Sequence, residues 1–145
     1  MPGYLIDTNV LSEIRKGAQR ADPRVWSWWL DRREAALFLS VMTLGEIRKG
    51  IEQLRKRDGV QAFTLDRWLE QTSHAFKDQI LEISEEVADG WGKLQAIRPL
   101  PDIDALLAAT ALHHGLTLVT RNESDFTGLG VTMINPFRKP PDCPY

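Results

Sequence analysis

Tyr4-Leu5-Ile6-Asp7-Thr8-Asn9-Val10 is a strand that turns straight into a helix. Tyr4 to Ile6 is a short apolar run behind Gly3, the pattern of a buried strand. It ends on Asp7, and helical spacing begins at once with Asn9, Val10, Leu11, Glu13 and Ile14. In open parallel sheets ligands sit in the crevice beyond the carboxyl ends of the strands, so Asp7 is expected at its lip. Thr8 or Asn9 is a suitable helix N-cap, which would leave the Asp7 carboxylate free for another task. A single acid at a strand end is commonplace. What matters is which other acids return to the same edge.

Beyond this stretch, a polar segment from Lys16 to Pro23 leads into a helix with Asp22 as its cap. That helix carries Val25, Trp26, Trp29 and Leu30; Trp26 and Trp29 share a face expected to meet the core or a subunit interface. Ala36 to Val41 reads as a second strand. Thr43 is expected to cap a helix with Leu44, Ile47, Ile51 and Leu54 on one face. A break from Lys56 to Gly59 precedes a helix from Val60 to Phe76, with Phe63, Trp68 and Leu69 on it. Ile80 to Ile83 is a third strand. Ser84 then caps a helix with Glu85 and Glu86 in its first turn, where the macrodipole favours acids. Gly90 and Gly92 weaken that helix and Pro99 and Pro101 end it. Ile103 to His114 is apolar apart from Asp104, Thr110 and the terminal histidines, so it reads as a buried central helix stopped by Gly115. Leu116 to Thr120 and Val131 to Ile134 supply two more strands. The alternation predicts a single doubly wound α/β domain over 1–136, with a parallel sheet of about five strands flanked by helices on both faces. An irregular Pro-rich tail is expected over 137–145.

Length and composition agree with one such domain: 145 residues, 43% hydrophobic and 26% charged. No apolar run approaches the ~20 residues of a membrane helix, and no basic segment precedes an apolar one at the start, so a cytoplasmic protein is expected. The single cysteine, Cys143, excludes internal disulfides and multi-cysteine metal sites. The net charge of −2 conceals an asymmetry: residues 1–58 hold 11 basic and 8 acidic side chains, residues 59–145 hold 7 and 12. The bases fall in clumps at Arg15-Lys16, Arg32-Arg33, Arg48-Lys49 and Arg55-Lys56-Arg57. Such clumps fit either solvated helix faces or local phosphate contacts.

Four acids occupy comparable places. Asp7 ends the first strand, Glu46 sits one turn into the helix after the second, and Asp125 lies in the loop after the fourth. Asp104 is in the first turn of the buried helix, which does not directly follow a strand. Singly, each has a structural explanation, as a solvated residue, a helix N-terminal acid or a turn cap. Four carboxylates in one pocket would repel one another, so they would either titrate upward or need a cation. A hard divalent ion with oxygen ligands meets that need, and it suits phosphodiester hydrolysis by activating water and stabilising charge on phosphate oxygens. Other chemistries find no support: there is no Walker-A or Gly-x-Gly-x-x-Gly loop, no His-Glu-x-x-His and no Gly-x-Ser-x-Gly. His74, His113 and His114 form no ligand pattern.

Four segments together carry a family resemblance: Ile6-Asp7-Thr8-Asn9-Val10-Leu11-Ser12-Glu13, Gly45-Glu46-Ile47-Arg48-Lys49-Gly50-Ile51, Asp104-Ala105-Leu106-Leu107-Ala108-Ala109-Thr110-Ala111, and Thr120-Arg121-Asn122 followed by Asp125-Phe126. In this order they resemble the PIN-domain ribonucleases, and more narrowly the VapC toxins of bacterial toxin–antitoxin modules, in the FitB-like branch. The resemblance implies a metal-dependent endoribonuclease in which Asp7, Glu46, Asp104 and Asp125 surround Mg²⁺, with Mn²⁺ as a substitute. It implies that Thr8, Asn9, Thr120 and Asn122 orient carboxylates and water. Asp102, an additional acid, competes with Asp104 for the third position. Arg48, Lys49, Arg55, Lys56 and Arg57 become candidates for contacting RNA or the antitoxin.

The same resemblance implies a homodimer held inactive by a small antitoxin with a DNA-binding domain. Its substrate would be tRNA or another structured RNA, cut by a metal-activated water to leave a 5′-phosphate and a 3′-hydroxyl. Two other classes compete. One is a non-catalytic PIN-like scaffold for a protein or nucleic-acid partner. The other is a phosphoryl-transfer domain with Asp7 as nucleophile, disfavoured because Asn9 stands where dehalogenase-like enzymes carry a second aspartate.

Overall fold

The computed structural model describes residues 3–32 and 35–138. Its elements run β1 (Gly3–Ile6), α1 (Thr8–Arg15), α2 (Pro23–Asp31), β2 (Ala36–Ser40), α3 (Val41–Arg55), α4 (Gly59–Ala75), β3 (Ile80–Leu81), α5 (Glu85–Ile97), α6 (Asp102–His114), β4 (Thr117–Val119), α7 (Glu123–Phe126) and β5 (Met133–Ile134). The five strands form one sheet in the order β3-β2-β1-β4-β5. Every neighbouring pair is parallel; Leu5 of β1 lies between Phe38 of β2 and Leu118 of β4. The chain builds outward from β1 to β3, then crosses back to place β4 on the other side of β1. The strand order therefore reverses between β1 and β4, which is where open parallel sheets form their ligand crevice.

Period-two alternation sends successive strand residues to opposite faces. Ile6, Leu37, Leu39 and Val119 join Val10, Val25, Trp28, Ile47, Ile51 and Leu69 in one core, under α1 to α4. Leu5 and Leu118 join Val87, Leu94, Leu107 and Phe126 in the other, under α5 to α7. Each fully buried side chain of this size contributes about 1.5–3 kcal/mol. Helices on both faces, a parallel five-stranded sheet and one domain agree with the reading of the sequence. The central helix α6 is buried nearly all round, with Ala105, Leu107, Ala108, Ala109, Thr110 and Ala111 inaccessible. It ends at Gly115, whose φ of +65° is the left-handed conformation that favours glycine.

Several local expectations need correction. Asp7, not Thr8 or Asn9, is the N-cap of α1, because the helix starts one residue earlier than its apolar spacing suggests. Ser40, not Thr43, caps α3: the strand passes into the helix with no intervening loop, and Val41 is helical rather than extended. Thr43 is turned inward and fully buried. On α2 the buried face is Val25 and Trp28, an i, i+3 pair, whereas Leu30 is 45% exposed. On α4, Ala62, Leu69 and Thr72 are buried and Phe63 is exposed. The third and fifth strands are two residues each, shorter than the apolar runs that contain them. The segment after β4 contains a one-turn helix, α7, where a loop was expected.

Phe137, the first residue of the expected tail, is buried in the α1-to-α4 core. Arg33 and the rest of the tail from Lys139, with Cys143, lie outside the described residues. Among the described residues no helix is long and apolar enough to cross a membrane.

Candidate active site

The sheet edge beyond β1 and β4 is where the functional side chains gather. Asp7 is only 5% exposed. Its Oδ1 accepts the Thr8 backbone N–H at 2.7 Å, closing the N-terminus of α1. Its Oδ2 accepts the Thr120 hydroxyl at 2.8 Å and the Asn9 amide at 3.3 Å. Capping therefore occupies one carboxylate oxygen, and the other is oriented by groups from α1 and from the end of β4. Burial pushes the Asp7 carboxyl above its ordinary range; the bonds from Thr120, Thr8 and Asn9 oppose this, and Glu46 adds to it. Loss of water outweighs three favourable contacts only in a site closed on most sides.

Thr8 links two acids. While its N–H serves Asp7, its hydroxyl donates to Glu46 Oε1 at 2.7 Å. Glu46 comes from the second turn of α3, where the direct strand-to-helix passage at Ser40 and Val41 places it. Asp104 comes from the first turn of α6. Its carboxyl is raised to about 6 from 3.8, first by burial and then by repulsion from Asp7, Asp125 and Glu46. Four acids from α1, α3, α6 and the α7 turn thus lie within electrostatic reach of one another. That includes the acid whose helix does not directly follow a strand; the buried α6 is long enough to return its N-terminus to this edge.

The remaining candidates divide. Asp102 is exposed and is not among the charges acting on Asp104, so the α6 acid of the pocket is Asp104. The Asn122 side chain makes no cap bond, but its N–H donates to Thr120 Oγ1 at 3.1 Å, so its backbone fixes the hydroxyl that serves Asp7. Arg48 and Arg55 are committed elsewhere. Arg48 contacts Asp66 at 2.7 Å and Glu52 at 3.1 Å; Arg55 contacts the same two acids at 2.7 and 2.9 Å. These pairs tie α3 to α4, a long-range partnership that spacing along the sequence does not reveal. Lys49, Lys56 and Arg57 are exposed. Among the described residues, no three Asp, Glu, His or Cys side chains converge tightly enough to form a ready-made metal cage.

Sequence reasoning missed Arg98 and Asn135. Arg98, at the end of α5, donates through Nη2 to the carbonyl oxygens of Asp125 at 2.9 Å and Thr127 at 3.0 Å. Asn135 donates to the Arg121 carbonyl at 3.3 Å and accepts the Phe137 N–H at 2.9 Å. Neither sits in a pattern that could have flagged it, since both act on backbone atoms of distant turns. Arg98→Ala is expected to cost about 1 kcal/mol, the scale of exposed bonds from a charged donor. It should also speed amide hydrogen exchange at Leu129, whose N–H closes the α7 turn onto Phe126. Unchanged exchange there would show that Arg98 does not hold the turn.

Comparison with known proteins shows the family. The PIN domain model matches residues 4–129. Toxin FitB of Neisseria gonorrhoeae is 30% identical over 139 residues, spanning 92% of this chain and 97% of the relative. VapC ribonuclease Y4jK of Sinorhizobium fredii is 28% identical, spanning 92% and 96%. The crystal structure of FitAcB from Neisseria gonorrhoeae superposes with a TM-score of 0.83 at 30% identity, covering 94% of this chain and 99% of that one. A toxin–antitoxin complex from Klebsiella pneumoniae gives 0.65 at 26%, covering 92% and 97%. With most of its length matched by the model and by full-length relatives, the chain belongs to the PIN-domain family.

Proposed function

We propose that this protein is a divalent-metal-dependent endoribonuclease and the toxin of a toxin–antitoxin pair. One observation carries the chemistry: carboxylates from four separate elements crowd one crevice, and the Asp104 carboxyl is raised to about 6 by burial there and then by repulsion from the other three. The donor set, all carboxylate oxygen, fits a hard cation such as Mg²⁺ or Mn²⁺. The spread of the four acids fits an ion held directly by one or two carboxylates and otherwise through water, as Mg²⁺ prefers, rather than an all-protein cage. Asp7, Glu46, Asp104 and Asp125 would hold it, and it would supply a water activated for attack and charge to offset the phosphate.

The chain's own residues prepare that site. Thr120 and Asn9 fix Asp7 Oδ2 while Oδ1 caps α1, so the carboxylate is held in one orientation. Thr8 spaces Glu46 from Asp7 while shielding part of their repulsion. The raised Asp104 carboxyl keeps a proton under mildly acidic conditions and yields it near neutrality, where the ionised quartet is needed. The substrate is RNA, in keeping with a relative of nearly equal length named a ribonuclease, and tRNA or another structured RNA is the class we favour. The partner is a small antitoxin carrying a DNA-binding domain, in keeping with a similar chain solved as a toxin–antitoxin complex. The working form is a homodimer in the cytoplasm.

The test is incubation of the purified chain with tRNA and total RNA in Mg²⁺ or Mn²⁺, with EDTA controls and sequencing of product ends. Metal-dependent fragments with 5′-phosphates are expected. No cleavage of any RNA, even with Mn²⁺, would return the protein to the scaffold class.

A further inference from the structure

An all-acid pocket repels the polyanion it is proposed to cut, so a cation must stand beside it to hold the substrate. Resting on the nuclease reading above, we propose that Arg121 grips an RNA phosphate next to the scissile bond. It follows Thr120 directly, at the carboxyl end of β4, and its side chain is exposed. Its peptide is held on both sides. The Arg121 N–H donates to Asn9 Oδ1 at 3.2 Å, and the same Asn9 amide donates to Asp7 Oδ2. The Arg121 carbonyl accepts from Asn135 at 3.3 Å. One hydrogen-bonded relay therefore fixes the Arg121 backbone relative to the Asp7 carboxylate.

The guanidinium is also placed. Its carbon lies 4.7 Å from the centre of the Phe137 ring, and Phe137 is itself anchored in the core and bonded through its N–H to Asn135. A guanidinium stacked on a ring keeps its N–H donors around its edge, which suits two-pronged contact with a phosphate. Among the described residues no carboxylate pairs with Arg121, whereas the other arginines near this edge and on α3 are engaged; Lys49 of α3 is exposed and, like Arg121, pairs with no carboxylate. Arg98 serves two carbonyls, Arg138 pairs with Glu123 at 3.0 Å, and Arg48 and Arg55 are shared between Asp66 and Glu52. The grip therefore moves from the α3 clump to the rim of the pocket itself.

The experiment measures binding without cleavage. In an Asp7→Asn background, fluorescein-labelled bulk tRNA is titrated in Mg²⁺ at several salt concentrations. Adding Arg121→Ala is expected to weaken binding on the order of tenfold and to flatten the log–log salt slope by about 0.7–0.9, the loss of one phosphate contact. Arg121→Lys should retain the slope, since the charge remains. Lys56→Ala with Arg57→Ala should leave affinity within about twofold, because those side chains stand away from the pocket relay. A lower melting temperature with unchanged Kd and slope would make Arg121 a packing residue and overturn the proposal, as would a slope that responds only to Lys56 and Arg57. Failure of the nuclease reading looks different: Arg121-dependent tRNA binding by a wild-type chain that cuts nothing would leave the contact standing and remove the catalysis.

Discussion

Asp7→Asn is expected to yield a folded protein in which the proposed RNA cleavage falls by at least about 100-fold, beyond the 10–100-fold typical when only a supporting partner of a metal ligand is lost. Asparagine is nearly isosteric, and its carbonyl oxygen still accepts the Thr8 N–H that caps α1, a bond of 2.7 Å in the wild type. On the other side an amide NH₂ replaces Oδ2: the Thr120 hydroxyl turns to accept from it, and the longer bond from the Asn9 amide is lost. Burial is the largest influence on the Asp7 carboxyl and disfavours its charge. Neutralising it therefore removes a cost to folding, and the variant should melt at the same temperature as the wild type or higher. Loss of activity with retained or raised stability separates a functional carboxylate from a structural one. Circular dichroism melts and cleavage assays on one preparation check both halves. An active Asp7→Asn enzyme would falsify the metal-site reading.

What was legible in the sequence follows from which signals are local. The apolar run from Tyr4 to Ile6 and the change to helical spacing after Asp7 belong to a single stretch, and they located both the first strand and the crevice. The α6 segment was equally plain, because a helix apolar on every side has few places to go but the middle of a domain. The caps were misplaced for one shared reason: where a strand enters a helix with almost no loop, the residue at the junction does the capping, Asp7 directly after β1 and Ser40 as the last residue of β2. The short α7 carries too few residues to show a period. Trp28 was overlooked because three tryptophans within four positions blur the face that is buried. The commitment of Arg48 and Arg55 to Asp66 depends on how α3 and α4 pack, and the role of Arg98 depends on carbonyl groups that every residue possesses. The candidate acids stood out because strand ends and helix starts mark them; the residues that hold them in place carry no such mark.

The second large effect is a pH dependence with a defined sign. The Asp104 carboxyl titrates near 6 in the folded chain against 3.8 when unperturbed. Between those values the folded state retains a proton that the unfolded state has lost. Its contribution to stability is therefore complete below about pH 4 and declines as pH rises through 6. The full shift corresponds to about 3 kcal/mol. Asp104 is only partly buried, so solvent screening reduces this to about 1–2 kcal/mol. Asp22, Glu52, Asp66 and Glu86 are shifted the opposite way by their hydrogen bonds and ion pairs, so the whole protein's profile mixes both signs. The informative quantity is the difference between wild type and Asp104→Asn, which mimics the protonated acid permanently. The variant should match the wild type near pH 4 and exceed it by about 1–2 kcal/mol at pH 7.5 in the presence of EDTA. Mg²⁺ should then reverse the order. If it binds the ionised quartet and not the unfolded chain, as proposed, at a hundred times its Kd it would raise wild-type stability by about 2.7 kcal/mol at pH 7.5, with a smaller gain below pH 5 and for Asp104→Asn. Denaturant melts at the two pH values, with and without Mg²⁺, give all the terms. Parallel pH profiles for the two proteins would mean that Asp104 is not pressed by its neighbours. A stabilisation by Mg²⁺ equal in both would place the cation elsewhere on the molecule.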